Sequence, residues 1–236
     1  DSAGSQQQTS GERTIDNATF FSRLAQKIIS KITLLTAAGK LYEIDTRLRP
    51  DGASGMLVSS ITAFEQYQKE KAWVWEHQAI IRARFIAGHR SIRSAFDAIR
   101  EQVISLPREE PALKQAVIEM REKIYQAKNP PENEMIDIKH SRGGLVDIEF
   151  MVQYWVLRHA NKFASLTQTT DNISLISELH DLGLIPLEYL QLAEIYQTFH
   201  KWLHTQVLQN QSAELPLDKV HDEVDMVRAC WNKTFN

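Results

Sequence analysis

The chain has 236 residues, of which 43% are hydrophobic and 24% are charged. This composition is typical of a globular protein with a buried core, and it excludes a chain that is disordered as a whole. The single cysteine, Cys230, excludes an intrachain disulfide and favours a reducing compartment. The 27 basic and 30 acidic residues give a net charge of −3, which argues against a general nucleic-acid binder. No apolar run approaches the roughly 18 residues of a membrane span.

The chain begins with residues 1–15, whose Gly, Ser, Gln and Thr content predicts a flexible lead-in. Apolar side chains from Phe20 to Leu35 then recur at three- and four-residue steps. This spacing predicts a helix that is capped by Asp16 or Asn17 and ended by Gly39.

Residues 41–48 change the apolar period to two, which predicts a strand with one packed face and one charged face. A loop over residues 50–55 and a short returning strand over residues 56–58 follow. Ser59 or Ser60 then precedes a predicted helix. The packed face of the first strand would hold Tyr42, Ile44, Thr46 and Leu48, and the charged face Glu43, Asp45 and Arg47.

An apolar segment follows in which Trp73 and Trp75 are expected in the core, and nearly the whole chain after Pro107 is predicted to be helical. Few glycines and prolines interrupt it, and residues 129–133 form a clear loop. We therefore expect an α+β protein that is mostly α: a mixed α/β segment up to about residue 105, then an all-helical bundle. Amphipathic spacing predicts further helices near residues 92–103, 113–124, 145–156, 172–182, 187–208 and 220–231.

The charged strand face is the most suggestive local feature. A carboxylate beside guanidinium groups can hold a divalent cation while the arginines neutralise phosphate oxygens, and nearby glycines let the backbone approach a ligand. From periodicity alone, a solvated strand face with salt bridges remains the alternative. The residues concerned are Glu43, Asp45, Arg47, Arg49, Gly52 and Gly55.

Two other residue pairs could bind anions, and a pair of histidines is a weaker candidate for a metal site. Arg82 and Arg84 form an R-x-R pair, which is either a phosphate clamp or a surface pair. The glycine pair at 143–144 precedes a helix and either presents N–H groups to an anion or meets a tight backbone approach. His200 and His204 have metal-like spacing but no third ligand at a convincing offset, so we expect a structural or solvent role.

Several segments together are more specific than any single feature. They read LYEIDTRLRP at residues 41–50, AWVWEHQA at 72–79, RAR at 82–84, DIK at 137–139 and GGLVDIEF at 143–150. In this combination the chain resembles the glutamine synthetase adenylyltransferase (glutamate–ammonia-ligase adenylyltransferase) family over residues 12–232. Residues 75–78 and 147–149 resemble its adenylylating half.

The resemblance implies a fold and an activity. Members carry two related halves, each a polymerase-β-like nucleotidyltransferase core followed by a helical bundle. One half transfers AMP from ATP to a tyrosine of glutamine synthetase, which inactivates it, and the other half removes the AMP. For this chain it implies a lead-in at 1–15, the C-terminal part of the core at 16–107 and the bundle at 108–236.

The resemblance also implies site residues. Asp45 matches the third carboxylate of a two-Mg²⁺ site and is a possible base, whereas the two aspartates of the Asp-x-Asp motif are expected ahead of residue 1. The site would then be incomplete, and we expect the chain alone to be inactive. ATP phosphates are expected at Arg47, Arg49, Gly52, Gly55, Arg82 and Arg84, and a cleft or interdomain role at Glu43, Glu76, Lys139, Gly143, Gly144, Asp147 and Glu149.

The implied partners are glutamine synthetase, the PII signalling protein and glutamine as an effector, in the bacterial cytoplasm, with no nucleic acid and no membrane. Two alternatives stay open. A nucleotidyltransferase acting on RNA ends would need a basic track, which a net charge of −3 disfavours. A non-catalytic helical module that only docks a partner is the other alternative.

Overall fold

The structure is a computed structural model that describes residues 8–37, 39–40, 42–131 and 134–236. It is mostly helical, as predicted. The chain divides into two compact units: unit 1 comprises Asp1–Glu76 with Phe85–Ile99, and unit 2 comprises His77–Arg84 with Arg100–Asn236. Within the described ranges, no helix is both long enough and apolar enough to cross a membrane. Helices α3 (Val74–Ile81) and α4 (Arg90–Ile104) contribute residues to both units.

Unit 1 begins with helix α1 (Asn17–Ile32), whose N-cap is Asp16. The Asp16 carboxylate accepts a hydrogen bond from the backbone N–H of Thr19 at 2.7 Å, which satisfies one of the unpaired donors of the first turn. The helix ends at Ile32 rather than at Gly39, because strands β1 (Leu35–Thr36) and β2 (Gly39–Lys40) form an antiparallel pair there. Helix α2 (Ile61–Glu70) is capped by Ser60, as predicted.

The strand predicted over residues 41–48 is wrong for the described residues, 42–48. Residues 42–46 have no regular structure and residues 47–50 form a turn, while Leu41 lies outside the described residues. The expected packed face is exposed instead, with Tyr42 at 65% and Leu48 at 61%. Hydrogen bonds from side chains to the backbone replace a strand ladder here, since the Asp45 carboxylate accepts the backbone N–H of Arg47 at 2.9 Å.

Two smaller predictions in unit 1 also fail. Residues 56–58 do not form a returning strand. Trp73 is 69% exposed rather than in the core, because it stands immediately before α3 and its backbone N–H is tied to the Glu76 carboxylate at 2.9 Å.

Unit 2 is built around helix α6 (Leu145–His159), which is buried over almost its entire length. Four helices pack on α6 and contribute to the core, which explains why its apolar residues are not confined to one stripe. The packed helices are α5 (Glu110–Lys128), α7 (Asn172–Asp181), α8 (Gln191–Leu208) and α9 (His221–Phe235).

Unit 2 is not all-helical, which corrects the predicted bundle. Strands β3 (Met135–Asp137) and β4 (Glu214–Pro216) pair antiparallel, with Ile136 opposite Leu215. Both of these side chains are buried. A three-residue strand has too few residues to show a period of two, which is why the sequence pattern missed this pair.

Candidate functional site

The Asp45 carboxylate lies in the exposed loop of unit 1 that follows β2. Arg47 Nε donates to both of its oxygens at 3.0 Å, and Arg47 Nη2 donates to Oδ2 at 2.6 Å. These hydrogen bonds lower the pKa of Asp45 to about 2, so the carboxylate is ionised at neutral pH. Asp45 and Arg47 are therefore brought together as a bidentate ion pair on a turn, rather than as neighbours on a strand face.

Arg49 has a structural part in the same loop. Its guanidinium donates to the carbonyl of Thr46 at 2.7 Å and to the carbonyls of Ala53 and Gly55 at 3.2 and 3.3 Å. Gly55 is sterically required, because a Cβ at this position would lie 2.0 Å from the carbonyl oxygen of Pro50. The predicted site residues Arg49 and Gly55 thus fix the conformation of the loop that carries Asp45.

An open cavity of about 390 Å³ adjoins the ion pair, and Glu43, Asp45 and Arg47 contribute to its wall together with Thr33 and Ile44. It combines ionised carboxylate with guanidinium at a surface that solvent reaches, so it can contact a charged ligand. Within the described part of the chain, no three histidine, cysteine or acidic side chains are grouped as they would be around a metal ion.

Glu76 lies in the first turn of α3 and is buried. Its carboxylate accepts the hydroxyl of Tyr67 at 2.9 Å and the backbone N–H of Trp73 at 2.9 Å. The second bond is the reciprocal half of a capping box, in which a glutamate in the first turn reaches back to the residue before the helix. These two hydrogen bonds, one of which caps α3, account for the burial of the Glu76 carboxylate.

Arg82 and Glu149 form an ion pair within unit 2, although they lie 67 residues apart in the sequence. The Glu149 carboxylate also accepts the hydroxyl of Tyr196 at 2.9 Å, and Asn172 Nδ2 donates to that hydroxyl at 2.9 Å. Burial, reinforced by the Glu149 charge, raises the pKa of Tyr196 to about 12. Two predicted site residues thus belong to one polar network that joins α6, α7 and α8.

The glycine pair before α6 is tightly packed. A Cβ on Gly143 would lie 2.6 Å from the carbonyl oxygen of Val224, and one on Gly144 would lie 2.7 Å from that of Ile138. The backbone N–H of Gly143 donates to Asp147 Oδ2 at 2.6 Å, and that of Gly144 donates to the carbonyl of Ser141 at 3.0 Å. Because these N–H groups have protein partners, the tight backbone accounts for the glycines and an anion is not needed.

Asp147 is buried on α6 and forms an ion pair with buried Arg121 of α5. Arg121 Nη2 also donates to the carbonyls of His140 and Ser141, at 2.9 and 3.1 Å. The structure thus gives Asp147 a packing role inside unit 2. Lys139, which belongs to the same turn, is exposed, and so is Arg84, which lies in neither a helix nor a strand.

The sequence prediction missed two buried arginines of unit 2. Arg121 lies four residues after Val117 on the buried face of α5. A charged residue within an apolar stripe could therefore have predicted a buried ion pair. Arg100 stands in the same relation to Phe96 and donates to the carbonyls of Ile80 and Ile81 at the end of α3, at 3.2 and 2.5 Å.

Both parts of the chain are similar to known proteins. Residues 2–99 match the profile of the family described as glutamate-ammonia ligase adenylyltransferase, and residues 112–227 match that described as GlnD PII-uridylyltransferase. A bifunctional glutamine synthetase adenylyltransferase/adenylyl-removing enzyme of Thioalkalivibrio sulfidiphilus is 44% identical over 236 residues, which is 100% of this chain. That of Hahella chejuensis is 43% identical over 96% of this chain. The chain covers 24% of the length of each of these relatives.

Proposed function

Because the chain corresponds to a part of an enzyme of the glutamate-ammonia ligase adenylyltransferase family, we propose that the enzyme containing it transfers AMP from ATP to a tyrosine hydroxyl of glutamine synthetase. The transfer inactivates glutamine synthetase and so regulates nitrogen assimilation. The observation that carries the proposal is the 44% identity to a bifunctional adenylyltransferase over the whole chain. Residues 16–107 belong to the nucleotidyltransferase core in this proposal, and residues 108–236 to the helical domain that follows it.

Asp45 is the catalytic residue in this proposal. Its low pKa keeps it negative at neutral pH, and Arg47 neutralises part of that charge before substrate arrives. A triphosphate that displaces Arg47 from Asp45 would bind its guanidinium and leave the carboxylate free. The opposite charges held together at the cavity of unit 1 support this exchange of partners.

Magnesium belongs to the whole enzyme in this proposal, where it would neutralise charge on the transferred phosphate and on the leaving pyrophosphate. We assign Asp45 of this chain as a ligand of the magnesium. The further ligands in this proposal are the two aspartates of the Asp-x-Asp motif that the family resemblance implies.

The remaining assignments follow from family membership. We propose glutamine synthetase as the substrate protein, the PII signalling protein and glutamine as regulators, and the bacterial cytoplasm as the location. The names of the relatives support glutamine synthetase directly.

The test is Asp45→Asn in the intact enzyme, compared with Asp97→Asn. The two aspartates are matched, because each side chain is 55% exposed and each pairs with an arginine. We expect Asp45→Asn to reduce transfer of labelled AMP to glutamine synthetase by about a hundredfold or more, because an ionised carboxylate at the reacting phosphate contributes several kcal/mol. Asp97→Asn should leave the rate unchanged.

Near-normal transfer by Asp45→Asn would remove Asp45 from the mechanism but leave the substrate assignment standing. Labelling of RNA ends in preference to glutamine synthetase would instead identify an RNA nucleotidyltransferase. Binding of glutamine synthetase with no transfer in the presence of ATP and Mg²⁺ would identify a docking module.

A further inference from the structure

A cavity of about 410 Å³ lies within unit 2, apart from the residues assigned to AMP transfer. It is bounded by α5, by α9 and by the turn that precedes α6. Its volume falls in the range of pockets that hold small organic ligands. Its lining residues are Ile118, Arg121, Glu122, Arg142, Asp147, Arg228, Trp231, Asn232, Phe235 and Asn236.

The charged part of this cavity is basic. Three arginines line it, beside the carboxylates of Glu122 and Asp147. Arg121 pairs with Asp147, and Arg142 Nη2 pairs with Glu122 Oε2 at 2.8 Å. Nη1 of the third arginine, Arg228, lies 3.4 Å from Asp225 Oδ1, and Asp225 does not belong to the lining.

The arginines are held in place by their neighbours. Arg228 Nε donates to the carbonyl of Arg142 at 3.0 Å, which joins α9 to the turn before α6. The Arg142 guanidinium stacks on the ring of Tyr125, 4.5 Å from its centroid. Among the described residues, the buried Nη1 of Arg121 has no hydrogen-bond partner. Guanidinium groups that are held by such contacts are suited to bind oxyanions, because ordering them costs little entropy.

The apolar part of the cavity is aromatic. Trp231 and Phe235 both come from α9, and their ring centroids lie 4.3 Å apart. Ile118 of α5 contributes an aliphatic surface to the same lining. A ligand that is only an inorganic ion would leave this surface uncovered.

We propose that this cavity binds a small organic anion. Arg142 and Arg228 bind its carboxylate or phosphate group, and Trp231 and Phe235 pack against its apolar body. Because each guanidinium forms charge-assisted hydrogen bonds, the site selects anions over neutral molecules of the same shape. This site is additional to the transfer reaction and does not depend on the function proposed above.

The test uses three probes that share a phenyl ring: benzoate, phenyl phosphate and the neutral benzamide. Each is titrated into the whole 236-residue chain, and binding is followed by the indole N–H resonance of Trp231, assigned with Trp231→Phe. We expect a saturable shift with benzoate or phenyl phosphate, and whichever binds more tightly identifies the anion class. Benzamide should give none.

Arg142→Gln and Arg228→Gln should each weaken the binding about tenfold or more, because each removes a charge-assisted hydrogen bond. Both arginines are partly exposed, so the variants are expected to fold, which the dispersion of their amide spectra checks. Arg93→Gln, which changes an exposed arginine of unit 1 that is paired with Asp97, is the matched control and should bind as wild type does. The absence of saturation with both anions, equal binding of benzamide, or full affinity in both arginine variants would overturn the proposal.

Discussion

Arg82 and Glu149 show how single residues in this protein acquire their chemistry from contacts that the sequence does not reveal. Each belongs to a short motif, yet their motifs are separated by more than sixty residues, and the ion pair between them exists only in the folded chain. Tyr196 completes the network and belongs to neither motif. The network therefore couples α6 to α8 through a neutral phenol that contacts a carboxylate.

Tyr196 makes the stability of the folded chain depend on pH. Because folding raises its pKa to about 12, the folded state keeps the phenol neutral at a pH where the unfolded chain, with a pKa near 10, ionises. The stabilisation is complete below pH 10 and is lost as the pH rises towards 12. We expect the free energy of unfolding to fall by up to about 2 kcal/mol over that interval from this residue.

The measurement is urea unfolding at several pH values between 9 and 12, comparing wild type with Tyr196→Phe. The variant should lose part of the decline, whereas Tyr42→Phe, at a 65% exposed position, should follow wild type. Identical slopes for wild type and Tyr196→Phe would contradict the assignment.

The glycine turn before α6 sets the path of the chain into the central helix. Gly143 has φ +86°, in the region that favours glycine, and also approaches the backbone of Val224 on α9. Gly183 has a similar φ of +71°, but a Cβ there would meet nothing within 4 Å. A side chain at either position would therefore strain the backbone, but only one at Gly143 would also collide with a neighbouring residue.

We predict that Gly183→Ala destabilises the chain by about 1 kcal/mol through strain alone. Gly143→Ala should cost about 1–3 kcal/mol more, because its Cβ would collide with a backbone oxygen that cannot move without shifting α9. Denaturant unfolding of both variants measures the difference. Equal losses of stability would show that the contact with Val224 is not rigid.

The helices of this protein were predictable from the sequence, whereas its turns and strands were not. Phe20, Leu24 and Ile28 recur at helical spacing, and Asp16 supplies a local cap, so α1 follows from neighbours in the chain. Residues 42–48 also show a clear period, but in the described part of the chain no strand pairs with them. Arg49 and Asp45 instead bind the backbone through their side chains, which competes with a strand and has no periodic signature.

The candidate site was likewise predictable only in part from the sequence. Asp45 and Arg47 were predicted together as site residues, but the bidentate geometry between them depends on the turn that replaced the predicted strand. Arg121 and Tyr196 could not be identified as partners of Asp147 and Glu149, because those contacts join separate helices. Local patterns predict elements, and long-range ion pairs require the packed chain.

The two units of the molecule carry different features. Unit 1 carries the Asp45 loop, and unit 2 carries the buried core around α6 together with the basic cavity. Unit 2 has a large buried apolar core, whereas α1 of unit 1 has no buried residue and leaves Phe21 and Ile28 about half exposed. The helical unit therefore has the larger share of the packing that stabilises the chain.

The isolated chain should differ from the intact enzyme in activity. We expect the purified 236-residue chain to be folded yet unable to transfer AMP, because one carboxylate already paired with Arg47 holds a strongly hydrated Mg²⁺ poorly. The assay incubates the chain with labelled ATP, Mg²⁺ and glutamine synthetase, with the intact enzyme as the positive control. Circular dichroism checks that the chain is helical under the same conditions. Label on the tyrosine of glutamine synthetase from this chain alone would mean that the described residues suffice for transfer. The assignment of Asp45 as one ligand of a larger set would then have to be withdrawn.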